Sequence, residues 1–213
     1  MIISRVMTKN PVFINPDMTI NEARSLMEKK NIGHLPVLNK NNELVGIVTR
    51  EDLGKANPTK ATTLDMFEIS YLLSKIKVKD VMEKQVRTVE ENEVVEEAAR
   101  VMADNSIGCL PVTRGKLLVG IITDTDIFNV FINAFGARRP GLRITLNMED
   151  KPGQLAGLSS AIAEKQGNVA SFVTSDFDSD NNCLATLKVS DISREDVEAI
   201  LKGFTHIKLE DLR

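Results

Sequence analysis

The chain contains the same unit twice, and an internal repeat restricts architecture more tightly than any local propensity, because both copies must bury the same faces. VMTKNPVFINPDMTINEARSLM, starting at Val6, aligns without gaps to VMEKQVRTVEENEVVEEAARVM, starting at Val81. The match runs on. NIGHLPV from Asn31 pairs with SIGCLPV from Ser106, and after one deletion LVGIVTREDL from Leu44 pairs with LVGIITDTDI from Leu118. Each unit is about 50 residues, too small to bury a comfortable core alone, so the two are expected to pack on each other about a pseudo-twofold axis with any cleft at their seam.

Within a unit the pattern reads as a short strand, a helix, two strands and a second helix. Thr19 and Glu22 have the spacing of a capping box, which predicts a helix over 20–30 with Ala23, Leu26 and Met27 on it. HLPVL and ELVGIVT flank the polar turn Asn39 to Asn42 and predict a hairpin-like pair of strands. Thr49 and Thr123 are each expected to end a strand and begin a helix. Between the repeats, Met66, Ile69, Leu72, Leu73 and Ile76 recur at helical spacing and predict a connecting helix. Gly136 to Gly141 carries the Gly and Pro punctuation of a joint, and beyond it residues 142–213 read as β-α-β-β-α-β, with a hairpin turn at Asp178 to Asn182 and Gly167 as a helix C-cap. That order predicts a four-stranded antiparallel, ferredoxin-like sheet with both helices on one face. The expected fold class is α/β (α+β), with domains at 1–57, 81–135 and 142–213, a helical linker at 58–80 and a joint at 136–141.

Composition narrows the function. Lys+Arg 27 against Asp+Glu 30 leaves a net charge of −3, so no overall cationic field would hold the chain on nucleic acid or an anionic membrane. With no Trp and one Tyr, stacking platforms for single strands are poorly supplied. Cys109 and Cys183 have neither disulfide-framework nor zinc spacing, which suits a reducing compartment. No long apolar run follows Arg5, so no secretory signal is expected, and the apolar stretch 127–135 is broken by Asn129 and Asn133, far short of the roughly 20 residues a bilayer needs. A cytoplasmic location is expected. No Gly-x-Ser-x-Gly, paired carboxylate set or metal cluster occurs, and His34 and His206 stand apart from any ligand group, so the chain is not expected to be an enzyme or to hold a catalytic metal. His34 and Cys109 fill the same place in the two repeats, a place expected to face a pocket or the core. The basic residues Lys75, Lys77, Lys79, Lys84 and Arg87 read as a solvated face, with a phosphate-recruiting role as the alternative.

The opening VM at Met7 and Met82, the NIGHLPV and SIGCLPV strands and the closing GIVTRED and GIITDTD runs resemble a tandem pair of CBS motifs. Residues 142–213 resemble an ACT domain, on a strand followed by Asp150-Lys151-Pro152-Gly153-Gln154-Leu155. The whole order resembles the bacterial acetoin-utilisation protein B family. The resemblance implies a binding role: an adenosine ligand in the cleft between motifs, an Asp on the ribose hydroxyls and a Thr near the phosphate. Gly46, Thr49 and Asp52 match in the first motif, and Gly120, Thr123 and Asp126 in the second. A carboxylate can accept from both vicinal hydroxyls while a helix N-terminus offers free N–H groups to phosphate oxygens. Thr-x-x-Asp is equally a helix cap, and the two roles are compatible. Adenine is expected near Ile32, Leu35, Ile107 and Leu110. Thr88 aligns with Phe13, and similar modules carry a pocket-lining Thr there; Phe13 would either fill the first pocket or stack in it. Arg50 and Asp124 follow the two Thr residues, so the sites are expected to be unequal: Arg50 tolerates phosphates, whereas Asp124 repels them or recruits a divalent cation such as magnesium.

In the ACT-like segment, Asp150, Gly153, Gln154 and Leu155 are the expected amino-acid contacts, with turn chemistry and helix initiation as the alternative reading. Sheets of this type join edge to edge, so a homodimer is expected. The leading expectation is therefore a regulatory sensor of an adenine nucleotide (AMP, ADP, ATP or S-adenosylmethionine) and, in the ACT domain, an amino acid, acting on a metabolic protein partner and requiring no cofactor of its own. The alternative is a scaffold or dimerisation protein with vestigial pockets.

Overall fold

The expected helix starts where its cap is. Thr19 Oγ1 accepts from the Glu22 N–H at 3.3 Å while Glu22 Oε2 takes the Thr19 N–H at 2.9 Å, and helix α1 runs Ile20–Lys30. Asn31, at φ 51°, turns the chain out of α1 in the left-handed conformation, and Ser106, at φ 54°, does the same after the corresponding helix of the second repeat. In both, the next residue reaches back five positions, Ile32 N to Met27 O and Ile107 N to Met102 O, which satisfies carbonyls a helix end leaves open. These features come from a computed structural model that describes residues 1–55, 75–176 and 182–213. The expected connecting helix at 66–76 and the Asp178–Asn182 turn fall largely outside them.

Two compact units emerge, Met1–Ile127 and Phe128–Arg213. In the first, β1 (Thr8–Lys9), α1, β2 (His34–Leu38), β3 (Leu44–Thr49) and α2 (Arg50–Lys55) form one repeat. The short α3 (Val78–Val81), β4 (Val89–Glu90), α4 (Val95–Asn105), β5 (Cys109–Arg114), β6 (Leu117–Thr123) and the start of α5 (Asp124–Ala134) form the other. Helix α1 buries Ile20, Ala23 and Met27, and α4 buries Val95, Ala98 and Met102, the same face at the same spacing. The β2–β3 and β5–β6 pairs are antiparallel, with His34 opposite Thr49 and Cys109 opposite Thr123.

Each repeat opens on the other. Thr8 and Lys9 pair with Ile121 and Gly120 of β6, while Glu83 exchanges both backbone hydrogen bonds with Ile47 of β3 at 2.9 Å. Gly46 and Gly120 make this crossing possible. A Cβ on Gly46 would stand 2.4 Å from Met82 Sδ, and one on Gly120 would stand 2.4 Å from Met7 Sδ. Ile47, Cys109 and Ile121 then close a small shared core across the seam. Gly46→Ala is expected to unseat Met82 and cost about 1–3 kcal/mol as an overpacked contact; a urea midpoint equal to that of the parent protein would show the methionine moves away freely.

In the second unit, β7 (Leu142–Glu149), α6 (Gln154–Glu164), β8 (Asn168–Asp176), β9 (Asn182–Ser190), α7 (Arg194–Lys202) and β10 (Ile207–Leu212) follow the predicted β-α-β-β-α-β order. The sheet order β10-β7-β9-β8, antiparallel at every neighbour, is the ferredoxin-like arrangement. Leu158 and Ile162 of α6 and Val197 and Leu201 of α7 share one core with Ile144, Leu146, Leu187 and Val189 of the sheet. One detail corrects the sequence expectation. Gln166, at φ 61°, makes the left-handed turn after α6; Gly167 is needed because a Cβ there would meet Ile162 Cγ2 at 2.8 Å. The stretch 136–141 is fastened to the second unit, with an Arg139 Nη donating to Ala170 O at 3.3 Å and Lys188 Nζ donating to Gly141 O at 2.7 Å. Among the described residues no helix is long and apolar enough to cross a membrane.

Candidate functional site

Thr49 closes β3 and Asp52 lies in the first turn of α2. The Thr49 N–H and Oγ1–H both donate to Asp52 Oδ2, at 2.9 and 2.7 Å, and the Asp52 N–H donates to Thr49 Oγ1 at 3.2 Å. Thr123 and Asp126 repeat the pattern at 2.8, 2.8 and 3.4 Å. The capping role is therefore real in both motifs, and it engages one carboxylate oxygen. Among the described residues Oδ1 of Asp52 takes no hydrogen bond, so the cap and a diol contact are compatible on one side chain.

A cleft of about 1170 Å³ opens beside Thr49 and Asp52. Three elements build it. Thr49 to Asp52 form one wall, Glu83 to Arg87 a second, brought there by the Glu83–Ile47 pairing, and Asn105 to Cys109 of the other repeat a third. His34 and Cys109 both line it, His34 because it lies directly across from the cleft-lining Thr49 and opposed strand residues share a face. Ile47, Val86, Ile107 and Pro111 supply the apolar surface.

Of the residues expected from sequence, the cleft brings together Thr49, Arg50, Asp52 and Ile107. Leu35 and Leu110 were expected against the base, but both are fully buried, Leu35 in the core of the first motif, because each follows the cleft-facing residue on its strand and points the other way. Ile32 packs on that same core and contributes its carbonyl, which accepts from Arg50 Nε at 3.1 Å. Thr88 is exposed and outside the lining, and Phe13, at 53% exposed, sits by a separate hollow with Asn15 and Leu38, so neither occupies this cleft. Thr123, Asp124 and Asp126 stand at the equivalent place of the second motif. Lys84 and Arg87, read from sequence as part of a solvated face, line the cleft; the signal that locates them is the repeat itself, since each opening segment crosses to the partner strand. Lys77 and Lys79 instead hold Asp17, at 3.3 and 2.8 Å.

The electrostatics are uneven in a useful way. The lining carries Arg50, Lys84 and Arg87 against Glu51, Asp52 and Glu83. Glu51 is paired with Lys55 at 2.9 Å, Glu83 Oε1 accepts the Gln85 N–H, and Asp52 caps its helix. Among the described residues none of the three cations has a carboxylate at ion-pair distance. Burial holds the His34 imidazole below its ordinary value of 6.5; Asp124 pulls it back up, Arg50 pushes it down and Asp52 raises it. Burial pushes the Cys109 thiol up to about 12, with Asp124 adding to it, so this cysteine stays protonated and unreactive. Because the unfolded chain takes up the His34 proton first, this group stabilises the fold fully above pH 6.5 and the contribution is lost as the pH falls toward the depressed folded value. The urea midpoint is expected to drop between about pH 7 and pH 5.5 more in the parent protein than in His34→Gln; equal drops would place the linkage on other groups.

In the second unit, Asp150, Gly153, Gln154 and Leu155 stand together at the turn from β7 into α6, near or at the surface. Gly153 itself is the N-cap of α6, at φ 90°.

Paired βαββα halves that exchange opening segments and enclose a ligand-sized cleft at their seam define the class of the first unit: a tandem-repeat module with a cleft between its halves. The chain matches the CBS domain over residues 3–57 and 78–133, more than half its length, and it belongs to the CBS-domain family. It is similar to an acetoin utilization protein (AcuB) from Vibrio cholerae, at 32% identity and a TM-score of 0.54, over 65% of this chain and 95% of that one. It is also similar to the CBS domain pair of protein MJ0100, solved with 5-methylthioadenosine and S-adenosyl-L-methionine, at 28% identity and a TM-score of 0.53, over 65% of this chain and 98% of that one. Among curated proteins, a homoserine O-acetyltransferase of Methanococcus vannielii is 34% identical over 129 residues, 60% of this chain. The chain spans only 24% of that enzyme's length, so the likeness is to one segment of it.

Proposed function

We propose that this protein is a regulatory sensor that binds an adenine nucleotide in the cleft of its CBS pair and relays occupancy to a metabolic protein partner. Among the described residues, Arg50, Lys84 and Arg87 have no carboxylate partner and the capped Thr49–Asp52 pair keeps one carboxylate oxygen open, and this is the observation that carries the reading. Asp52 takes the ribose diol, the three cations take phosphate, and Ile47, Val86 and Ile107 take the base. The adenosyl ligands held by the MJ0100 pair support the ligand class. Arg50 favours phosphorylated ligands in this cleft, whereas Asp124 at the equivalent place disfavours them or draws in magnesium. The second unit, read as an ACT domain, is the candidate amino-acid sensor through Asp150, Gly153, Gln154 and Leu155, and its sheet edges are the candidate homodimer contact.

The test is isothermal titration of ligand-free protein with AMP, ADP, ATP and S-adenosylmethionine in the presence of magnesium. Micromolar binding of at least one, about −8 kcal/mol, is expected, with the phosphorylated ligands ahead. Absence of heat with all four would overturn the nucleotide reading and leave the scaffold role or the second unit's amino-acid site.

A further inference from the structure

Gly108 is the meeting point of two groups from different repeats. A Cβ placed on it would lie 3.3 Å from Asp124 Oδ2 and 3.8 Å from His34 Nε2, so the carboxylate of the second motif and the imidazole of the first flank the same bare glycine. His34 lines the cleft and sits directly across the strand pair from Thr49. The charged groups around it are Asp124 from α5, Arg50, Glu51 and Asp52 from α2, and, on the facing wall, Glu83, Lys84 and Arg87; the Cys109 thiol of β5 is uncharged. No other histidine lines this cleft.

We propose that His34 is the charge-reading residue of the cleft: the imidazole takes up a proton when an anionic group enters beside Thr49 and Arg50, and the resulting imidazolium is held between that anion and Asp124. The inference rests on the reading of the cleft as a nucleotide site and adds to it a way of telling a phosphorylated ligand from an uncharged one. In the empty cleft burial and Arg50 keep the ring neutral near pH 7. An entering phosphate adds a second anion near the ring and favours its charged form. The proton comes from buffer, so binding of a phosphorylated ligand is linked to proton uptake and binding of an uncharged adenosyl ligand is not. Asp124 lies in the first turn of α5 in the second motif, so the charge taken up in the cleft is felt at the start of that helix.

The experiment is titration calorimetry of the full chain near pH 7 in two buffers of small and large ionisation enthalpy, with AMP and with 5-methylthioadenosine as the phosphate-free comparator. Expected are AMP heats that differ between buffers by the equivalent of a fraction of a proton taken up, and methylthioadenosine heats that do not differ. In His34→Gln the AMP heats converge, and in His34→Cys, which installs the residue the second repeat carries at this place, they converge as well. In Asp124→Asn the uptake shrinks. AMP binding with the same heat in both buffers, or uptake that persists in both His34 variants, overturns the proposal while leaving nucleotide binding intact. Absence of binding by either ligand instead overturns the reading of the cleft, and with it the proposal.

Discussion

Asp52→Asn will weaken AMP binding ten- to hundredfold, about 1–3 kcal/mol, without unfolding the protein. The arithmetic follows from what the carboxylate does in each state. One oxygen accepts the Thr49 N–H and hydroxyl, and an amide oxygen can go on accepting there, so the cap and the start of α2 survive. In the proposed site the other oxygen is the one offered to the diol, and replacing it with an NH2 exchanges an acceptor of two charge-assisted bonds for a donor facing donors. The check is titration calorimetry beside thermal unfolding. An affinity equal to that of the parent, with an unchanged melting temperature, would mean the Asp serves the helix alone and the ribose lies elsewhere.

Gly141→Ala will have the largest effect on stability, about 3 kcal/mol or more, confined to the second unit. Gly141 has φ 121°, a conformation L-residues rarely adopt, and a Cβ there would stand 2.1 Å from Val189 O and 2.9 Å from Val189 C, both backbone atoms of a strand inside the sheet. Neither can yield without breaking the β7–β9 register, which runs Leu142 opposite Val189. Hydrogen exchange should show lost protection in β7 and β9, with β2, β3, β5 and β6 as slow as in the parent. Uniform loss across both units would show that they unfold as one; no loss would show that the 140–142 backbone can re-route.

What the sequence disclosed is what periodicity and repetition can report. The capped helix after Thr19, the β2–β3 hairpin, the Thr-x-x-Asp pairs and the whole β-α-β-β-α-β order of the second unit were legible because each is local. The composition of the cleft was less so. Alternation shows that His34 and Leu35 face opposite ways, yet a strand covered on both sides presents buried residues in succession, here Leu35 to Leu38, and so hides which face is the cleft. Lys84 and Arg87 look like a solvated charge run because charge pattern says nothing about which strand a segment will join. The Glu83–Ile47 pairing, a contact between repeats, is what brings them to Asp52. Thr88 and Phe13 were placed by alignment of the repeats, and the backbone carries both away from the lining.

The exchange of opening segments orders events during synthesis. Thr8 and Lys9 leave the ribosome early, but the strand they join contains Gly120 and Ile121 and is made more than a hundred residues later. Until then Met7 has no glycine to rest on, although Ile3 and Ser4 already have Glu93 and Glu91 to pair with. Seating Thr8 and Lys9 on β6 is therefore a long-range closure, slow by topology. A ribosome stalled before residue 120 displays a half-module that lacks the strand Thr8 and Lys9 join, and no truncation between the repeats can yield a complete module.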